Sequence, residues 1–532
     1  MKKSFLKISG FAVLFCATLV SCTDKLDLYP QNDVTSEVVY STAMGYKQSL
    51  AKIYGSMALT GNQGPAGQPD VFFPGSDEGA NADFYRSFWK AQELSTDEAV
   101  IAWGDAGIQD FHNMNWTSSN QFLTGVYYKS LYQITLVNEF LRQSQDDKLG
   151  SRNITGADAD AIRKYRPEVR FLRALQYWVL MDLFGTPPFV TEENVIGGPN
   201  PEQISRKDLF TYVESELKAI EADLLPARTN EYGRADQAAA WALLARLYLN
   251  AEVYSGVPMY TEAITYSKKV IDAGYTLSSD YRQLMLADNQ LNKDEFIFTI
   301  NYDGAKTQGY GGTTFLTHAS IGGSLSAASA GVNSGWSGLR TTKALVQKFS
   351  DPSGATDKRA QFYTSGQNLE IASQTTFTEG YAVTKYRNIK RNGSPGSNDV
   401  FVDIDMPLFR LPEMYFIYAE AVKRGGTGGD AATALSYFNA VRTRAYGSTA
   451  GNINSVDFTL QYVLDERARE LYWEGFRRTD LIRYKQFTEG TYLWPWKGGV
   501  PGGTTKPSDL NLYPLPSSDL NANINLVQNP GY

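Results

Sequence analysis

Residues 236–266 read DQAAAWALLARLYLNAEVYSGVPMYTEAITY, and their spacing is the clearest indication of the fold class. The spacing W-x2-L-A-x2-Y in 241–248, followed by Y-x2-A-I-x-Y in 260–266, is the tetratricopeptide pattern of paired helices. Small residues let the two helices approach closely, and the large residues fill the space between pairs. Asp236 is placed to cap the first helix.

A second helical pair is predicted further along the chain. Residues 411–424 lead into a Gly-Gly turn, and the quartet ALSY at 434–437 echoes AITY at 263–266. Apolar residues also recur on two adjacent faces of 167–184, which predicts a helix that is packed on both sides. Since such pairs cannot bury their apolar faces alone, further pairs are expected. The predicted fold is all-α dominated, a tetratricopeptide-like helical repeat scaffold.

The helical scaffold is expected mainly in 40–60, 120–300 and 405–490, with loop-rich regions at about 60–120 and 300–400. Residues 307–339 contain no Asp, Glu, Lys or Arg, yet include several large aromatic side chains. A flexible linker rarely carries such side chains, and long loops within compact proteins are commonly functional. A buried irregular connection is the alternative interpretation.

Composition excludes several classes of function. The formal net charge is -7 with both signs interspersed, and no basic patch for nucleic acid is present. His112 and His318 are the only histidines and lie far apart in sequence, which argues against zinc chemistry and a Ser-His-Asp triad. Aromatic residues reach 13% of the chain, and flat amphipathic rings suit polar, ring-shaped ligands.

The start of the chain is typical of an exported lipoprotein. Three lysines precede an apolar stretch at 11–20, which is too short to span a bilayer but suits a secretory signal. LVSC at 19–22 matches a lipoprotein signal box, in which Cys22 is acylated on sulfur and becomes the new N-terminus. The sequence thus predicts a signal peptide at 1–21, removed together with Cys16. The alternative is an ordinary cleavage site with an incidental cysteine.

The chain resembles the SusD/RagB family of outer-membrane nutrient-binding lipoproteins, and within it the starch-binding members. The likeness covers 22–532, which it implies to be a single domain. The resemblance also implies a non-enzymatic protein, lipid-anchored in the outer membrane and facing the cell surface, which captures glycan for a SusC-type TonB-dependent transporter. The blocks that carry it include CTDKLDLYP, SDEGANADFYR, LSTDEAVIAW, EVRFLRALQYWVLMDLFG, GRADQAAAWALLARLYLN, GYGGTTF, DIDMPLFRLPEMYFIYAEA, ERARELYWEGFRRTDLIRY, LWPWKGG and YPLPSSDLNANINLVQNPGY.

A glycan-binding site follows from this resemblance. In the starch-binding members an arc of aromatic rings cradles a curved α-glucan, and the matching positions here are Trp103, Tyr310 and Trp336. Asp77 and Arg86 match the polar pair that bonds sugar hydroxyls. All five residues fall in the two regions that do not read as scaffold. Core packing for the rings, and a solvated pair for Asp77 and Arg86, are the alternatives.

The chain departs from the starch-binding pattern at three positions. Ile101 replaces a second tryptophan, a binding asparagine falls near Ala106 where one residue is missing, and a binding tyrosine falls at Ile389. Tyr386 is a candidate to compensate for the last of these.

The starch-binding member also carries a bound calcium, and Asp288 and Asp430 are the matching candidates for a structural calcium ion. No other cofactor is expected.

The block EGFRRTDLIRY near the C-terminus is interpreted as structural. Glu474 lies three and four residues before Arg477 and Arg478, a spacing that predicts ion pairs on a helix surface.

The leading hypothesis is a surface protein that captures α-glucan, starch or maltooligosaccharides. Three alternatives stand beside it: the same family binding a β-glucan such as laminarin or another glycan, a lipid-anchored glycoside hydrolase, and a tetratricopeptide adaptor that binds protein only. A hydrolase would need a second carboxylate near Asp77, and none is indicated. An adaptor would give the three rings no role.

Overall fold

The structure is a computed structural model that describes residues 35–65, 68–76 and 81–532. Helices dominate these residues. The strands are short and pair two by two in antiparallel fashion: Val100–Ile101 with Leu339–Arg340, Phe296–Ile300 with Met406–Arg410, and Phe362–Tyr363 with Ala382–Val383. The predicted helix-dominated fold is therefore confirmed.

The helices are α1 (Ser36–Val39), α2 (Ala43–Ala58), α3 (Phe84–Glu93), α4 (Asp110–Asn113), α5 (Gln121–Gln143), α6 (Asp146–Ser151), α7 (Gly156–Leu183), α8 (Arg206–Ile220), α9 (Gln237–Leu249), α10 (Ala251–Ser255), α11 (Tyr260–Asp272), α12 (Gly312–Ala319), α13 (Lys343–Val346), α14 (Leu411–Lys423), α15 (Ala431–Tyr446), α16 (Leu460–Leu471), α17 (Arg477–Arg483) and α18 (Ser517–Ala522). The strands are β1 (Val100–Ile101), β2 (Phe296–Ile300), β3 (Leu339–Arg340), β4 (Phe362–Tyr363), β5 (Ala382–Val383) and β6 (Met406–Arg410).

The two predicted helical pairs are present and stack on each other. Helix α9 packs on α11, α11 on α14, and α14 on α15. Asp236 caps α9 as predicted, since its Oδ1 accepts the Ala239 N–H at 3.2 Å. The turn after α14 needs glycine at Gly426, because a Cβ there would lie 2.8 Å from the Tyr260 carbonyl on the neighbouring helix.

The helix predicted in 167–184 is also confirmed. It forms the second half of α7, which packs on α5 on one side and on α8 on the other. Every side chain from Phe171 to Leu183 is buried, as expected for a helix covered on two faces. The chain leaves the helix at Gly185, whose φ of +77° is a left-handed conformation that glycine adopts without strain.

The region predicted as loop-rich at 60–120 contains a helix that the sequence analysis does not predict. All ten residues of α3 are buried, including Arg86, Lys90 and Glu93. Its aromatic and charged residues do recur with a helical period, but the helix spans only ten residues between stretches that contain Gly and Asp, and those residue types favour loops.

Charged side chains from α15, α16 and neighbouring segments form a buried cluster. We call it the ion-pair core, and its members are Arg359, Arg410, Arg444, Glu466, Glu470 and Glu474. Glu470 accepts hydrogen bonds from three of its arginines, with the Arg410 Nη1–Oε1 distance at 2.5 Å. Burial acts to raise the pKa of Glu470, but the cations around it outweigh burial and hold that pKa below its ordinary value.

The ion pairs predicted for Glu474 are wrong. Glu474 is buried and pairs with Arg410 (Nε–Oε2 2.7 Å) and Lys385, while Arg477 pairs with Asp97 on a distant segment. The spacing rule fails because Glu474 precedes α17, in a turn, and so does not share a helix with Arg477.

Most of the buried apolar side chains join one continuous core between Tyr40 and Leu515. None of the helices in the described ranges combines the length and the apolar character needed to cross a membrane. The predicted signal peptide and Cys22 lie outside the described residues, so the anchor and the boundary at residue 22 stay predictions.

Candidate functional site

Strands β1 and β3 bring together two segments that are far apart in sequence. Val100 pairs with Arg340 and Ile101 with Leu339, and the Ala102 N–H donates to the Gly338 carbonyl at 2.8 Å. The chain that leaves β1 toward Trp103 therefore runs beside the chain that enters β3 from Trp336. This pairing places the two predicted tryptophans next to each other.

The three predicted rings lie in one group, which we call the aromatic cluster: Trp103, Tyr310 and Trp336. Their ring centroids are 6.4 Å apart for Trp103 and Trp336, and 6.3 Å for Tyr310 and Trp336, with interplanar angles of 44° and 56°. The Trp103 Nε1–H donates to the Trp336 carbonyl at 2.9 Å, which links the first and last of these segments. All three residues are half-buried, so each ring is supported by the protein and retains some exposure.

Arg86 joins the aromatic cluster from α3. Its guanidinium carbon lies 5.6 Å from the Trp103 ring centroid and 5.9 Å from that of Trp336, and its Nη1 donates to the Tyr310 carbonyl at 2.9 Å. Arg86 is only 6% exposed. The Arg86 guanidinium therefore supports the aromatic cluster from within the protein. Direct contact between Arg86 and sugar hydroxyls stays a prediction.

Two supporting residues were missed by sequence reasoning. Asp83 accepts the Arg86 N–H at 2.7 Å as the N-cap of α3 and also accepts the Gly312 N–H at 3.1 Å, which ties the start of α3 to the start of α12. Burial raises the pKa of Asp83. An aspartate three residues before Arg86 is an N-cap signal that could have been found, whereas its bond to Gly312 leaves no pattern in the sequence.

Gln109 is the second supporting residue. Its amide nitrogen donates to the Trp103 carbonyl at 2.6 Å and to the Ile101 carbonyl at 3.0 Å. Opposite it, a Cβ on Gly338 would lie 2.6 Å from the Trp103 ring, so only glycine permits this approach. Together these contacts fix the position of the Trp103 ring.

The positions that depart from the starch-binding pattern do not extend the cluster. Ile101 is fully buried and pairs with Leu339, and Ala106 is exposed. Tyr386 is 3% exposed and donates its hydroxyl to the Trp473 carbonyl at 2.7 Å, so it does not compensate for Ile389. Asp77, the remaining predicted binding residue, lies outside the described residues.

The calcium candidates do not form a ligand set. Asp430 is the N-cap of α15, with its two oxygens bound to the Thr433 N–H and hydroxyl, and Asp288 accepts the Arg391 N–H. In the part of the chain that the structure describes, His, Cys, Asp and Glu side chains nowhere form a group of three or more that could hold a metal ion. Calcium binding by Asp288 and Asp430 therefore stays a prediction.

Two cavities of the described residues lie away from the aromatic cluster. Each has a volume of about 290 Å³ and flanks the turn at 231–234, and their linings include none of the five predicted binding residues. At the cluster, the half-exposed ring faces are the surfaces that a ligand would meet. Such faces suit the C–H surface of a sugar ring, whose polar rim can bond to side chains nearby.

Comparison with known proteins places the chain in a class of carbohydrate-binding, non-catalytic proteins. The model of the SusD family matches residues 352–532, and a model described as "Starch-binding associating with outer membrane" matches 74–249. The starch-binding protein SusD of Bacteroides thetaiotaomicron is 35% identical, over all of both chains. The chain belongs to the SusD family, and the hydrolase alternative is thereby excluded.

Solved structures agree in fold. Surface glycan-binding protein A from Bacteroides fluxus matches with a TM-score of 0.69 at 21% identity, covering 92% of this chain and 100% of its own. Surface glycan-binding protein A from Bacteroides thetaiotaomicron, in complex with laminarihexaose, matches with a TM-score of 0.67 at 20% identity, covering 91% and 99%. At these identities the likeness concerns the fold alone.

Proposed function

We propose that this protein is a cell-surface lipoprotein that captures α-glucan, such as starch or maltooligosaccharides, and delivers it to a SusC-type TonB-dependent transporter of the outer membrane. The observation that carries the proposal is the aromatic cluster, in which three half-buried rings from distant segments meet around Arg86. The name of the 35% identical relative, a starch-binding protein, supports α-glucan as the ligand.

A β-glucan is the second candidate ligand. Two solved structures of the same fold are named for laminarin or contain laminarihexaose, although each is near 20% identity. The three departures at Ile101, Ala106 and Ile389 also fit an altered glycan preference. Stacking on a few rings contributes about 1 kcal/mol each beyond area burial, so affinities in the millimolar to micromolar range are expected for single chains.

Isothermal titration of protein that begins after Cys22, with maltoheptaose and with laminarihexaose, separates these candidates. The variant Trp336→Ala should abolish the heat, whereas Trp241→Ala, which removes a half-buried tryptophan of the scaffold, should leave it unchanged. Heat with laminarihexaose only would replace the ligand and keep the site. Silence with both glycans would favour the adaptor alternative, in which the rings have no binding role.

The anchor needs a separate test. We expect Cys22→Ala to release the protein from the membrane fraction, and wild-type protein to carry an acyl mass on its N-terminal cysteine. A membrane-bound Cys22→Ala variant would contradict the lipoprotein assignment and leave the glycan site untouched.

A further inference from the structure

His318 lies directly behind one ring of the aromatic cluster. It is 1% exposed, near the end of α12, and its imidazole stacks on the Trp336 indole with centroids 4.7 Å apart and planes at 20°. The Trp336 N–H also donates to the His318 carbonyl at 2.8 Å. Both the ring and the backbone of Trp336 therefore rest on His318.

Both ring nitrogens of His318 face a backbone carbonyl oxygen. Nδ1 lies 2.8 Å from the Ser334 oxygen, and Nε2 lies 2.8 Å from the Val400 oxygen. A neutral imidazole has one N–H, whereas an imidazolium donates from both nitrogens. With a neutral ring, one of these contacts would set a nitrogen lone pair against a carbonyl oxygen, so the arrangement matches the imidazolium.

One of these carbonyls belongs to the segment that carries the Trp336 ring, and the other to the segment whose Phe401 supports the Tyr310 ring. Ser334 lies two residues before Trp336. Val400 precedes Phe401, whose ring packs against Tyr310 at 5.4 Å between centroids. A ring that donates to both carbonyls would fix the segment of Trp336 relative to the side chain that supports Tyr310.

We infer that His318 is a positioning residue whose imidazolium form sets the spacing of Trp336 and Tyr310, so that the affinity for glycan rises when His318 gains a proton. The inference rests on the proposed glycan site and adds a proton-dependent element to it. His318 itself does not contact the ligand, because the Trp336 ring covers it.

Few charged groups act on His318. Helix α12 and the segment 331–338 carry no other ionisable side chain, and Asp399 faces His318 from the segment of Val400. Helix α3, which packs on α12, brings Asp83 to Gly312, Lys90 to the Phe315 ring and Arg86 to the Trp336 ring. Burial lowers the pKa of His318 below its ordinary value of 6.5, against the opposing effects of the Val400 and Ser334 carbonyls and Asp399. The free protein should thus gain this proton only below pH 6.5, and bound glycan should raise the pKa of His318 by linkage.

The chain has two histidines, which permits a direct measurement of each. Protein without a polyhistidine tag, labelled with ¹⁵N in its histidine rings, would be titrated from pH 7.5 to 5 with and without maltoheptaose, and His318→Gln would assign the signals. We expect His318 to reach the two-donor imidazolium at acid pH, and at a higher pH when glycan is bound. A His318 ring that stays neutral at pH 5 in both states would overturn the inference.

Titration calorimetry gives the functional half of the test. Wild-type protein should bind maltoheptaose about three- to tenfold more tightly at pH 5.5 than at pH 7.5, the equivalent of one hydrogen bond. His318→Phe keeps a flat ring beneath Trp336 but has no N–H, so its affinity should be low and independent of pH. Equal affinities for wild type at the two pH values would also overturn the inference.

Failure of the proposed function would be recognised separately. If neither maltoheptaose nor laminarihexaose binds at any pH, the glycan assignment is wrong. The predicted dependence of glycan affinity on pH is then wrong as well. The ¹⁵N titration still decides the structural part, because an imidazolium with two donors supports the link between the two segments and a neutral ring removes it.

Discussion

The ion-pair core and the aromatic cluster are two regions of one molecule that use their side chains in opposite ways. In the ion-pair core every charged side chain is buried and paired with side chains of opposite charge. Glu470, for example, pairs with Arg359, Arg410 and Arg444. In the aromatic cluster, rings from segments with little charge are held by bonds to backbone carbonyls and remain half-exposed. Substitutions in the first region should therefore change stability, and those in the second should change binding.

The largest effect is expected in the ion-pair core. Glu470→Gln removes one charge from among three buried arginines, and breaking such a buried arrangement costs about 3–5 kcal/mol of the free energy of unfolding. Urea unfolding followed by circular dichroism measures it. The matched control is Asp272→Asn, which removes an exposed i,i+4 partner of Lys268 and should cost less than about 0.5 kcal/mol.

A small loss in the free energy of unfolding of Glu470→Gln would contradict this contrast between the two regions. It would then follow that the arginines find other partners or that water enters, and that the ion-pair core is not required for the fold. Glycan affinity, measured on the same variant where it remains folded, should match that of the wild type.

The next effect concerns binding. Trp103→Ala should weaken binding of the preferred glycan by more than about tenfold, because it removes one stacking face and the bond to the Trp336 carbonyl. Trp103→Phe keeps a ring but loses the Nε1–H, so an intermediate loss is expected. Trp241→Phe is the control: it loses an Nε1–H bond to Glu221 on the scaffold and should bind normally.

Equal affinity for Trp103→Phe and wild type would show that stacking alone matters and that the link to Trp336 does not. Loss of binding in Trp241→Phe would show that the scaffold, rather than the aromatic cluster, controls recognition. Titration calorimetry on the three variants distinguishes these results.

The parts of this molecule that sequence could predict are those with a local pattern. The helical pairs α9–α11 and α14–α15 are predictable because their residues follow the tetratricopeptide spacing, which recurs along the chain. Helix α3 is not, because it is short and lies between stretches with Gly and Asp that favour loops. Glu474 was misassigned because its partner Arg410 lies 64 residues away, and such a contact leaves no spacing to read.

Some residues of the candidate site could likewise be identified from the sequence, and others could not. The rings of the aromatic cluster were identified by resemblance to a family and by their position in segments that do not read as scaffold. Asp83, Gln109 and His318 were not, since each acts through bonds to backbone atoms of distant segments. Such bonds depend on the folded path of the chain rather than on local sequence.

A smaller effect concerns His112, which supports the strand leading to the aromatic cluster. Its Nε2 accepts the Ile101 N–H at 3.0 Å, and burial, with the nearby Arg340, lowers the pKa of His112 to about 3. Between pH 6.5 and 3 the unfolded chain binds a proton that the folded chain excludes, so stability falls as pH falls. This residue should contribute up to about 1.4 kcal/mol per pH unit.

The measurement compares wild type with His112→Gln, whose amide oxygen can still accept the Ile101 N–H. Between pH 7 and pH 5 the free energy of unfolding should fall by more in the wild type than in the variant, because the variant lacks this titration. Parallel pH profiles would show that His112 is protonated in the folded chain, contrary to its buried, accepting position.

The smallest effect is expected at the exposed end of the scaffold. Asp430→Ala removes the N-cap of α15, whose Oδ1 accepts the Thr433 N–H at 2.8 Å, and should lower the Tm by about 1–2 °C. Because the carboxylate is engaged as a cap rather than as part of a ligand set, the loss should be the same with calcium and with a chelator. Asp430→Asn, which can still cap the helix, should recover most of the Tm. If the Tm depended on calcium in the wild type only, Asp430 would instead be a metal ligand.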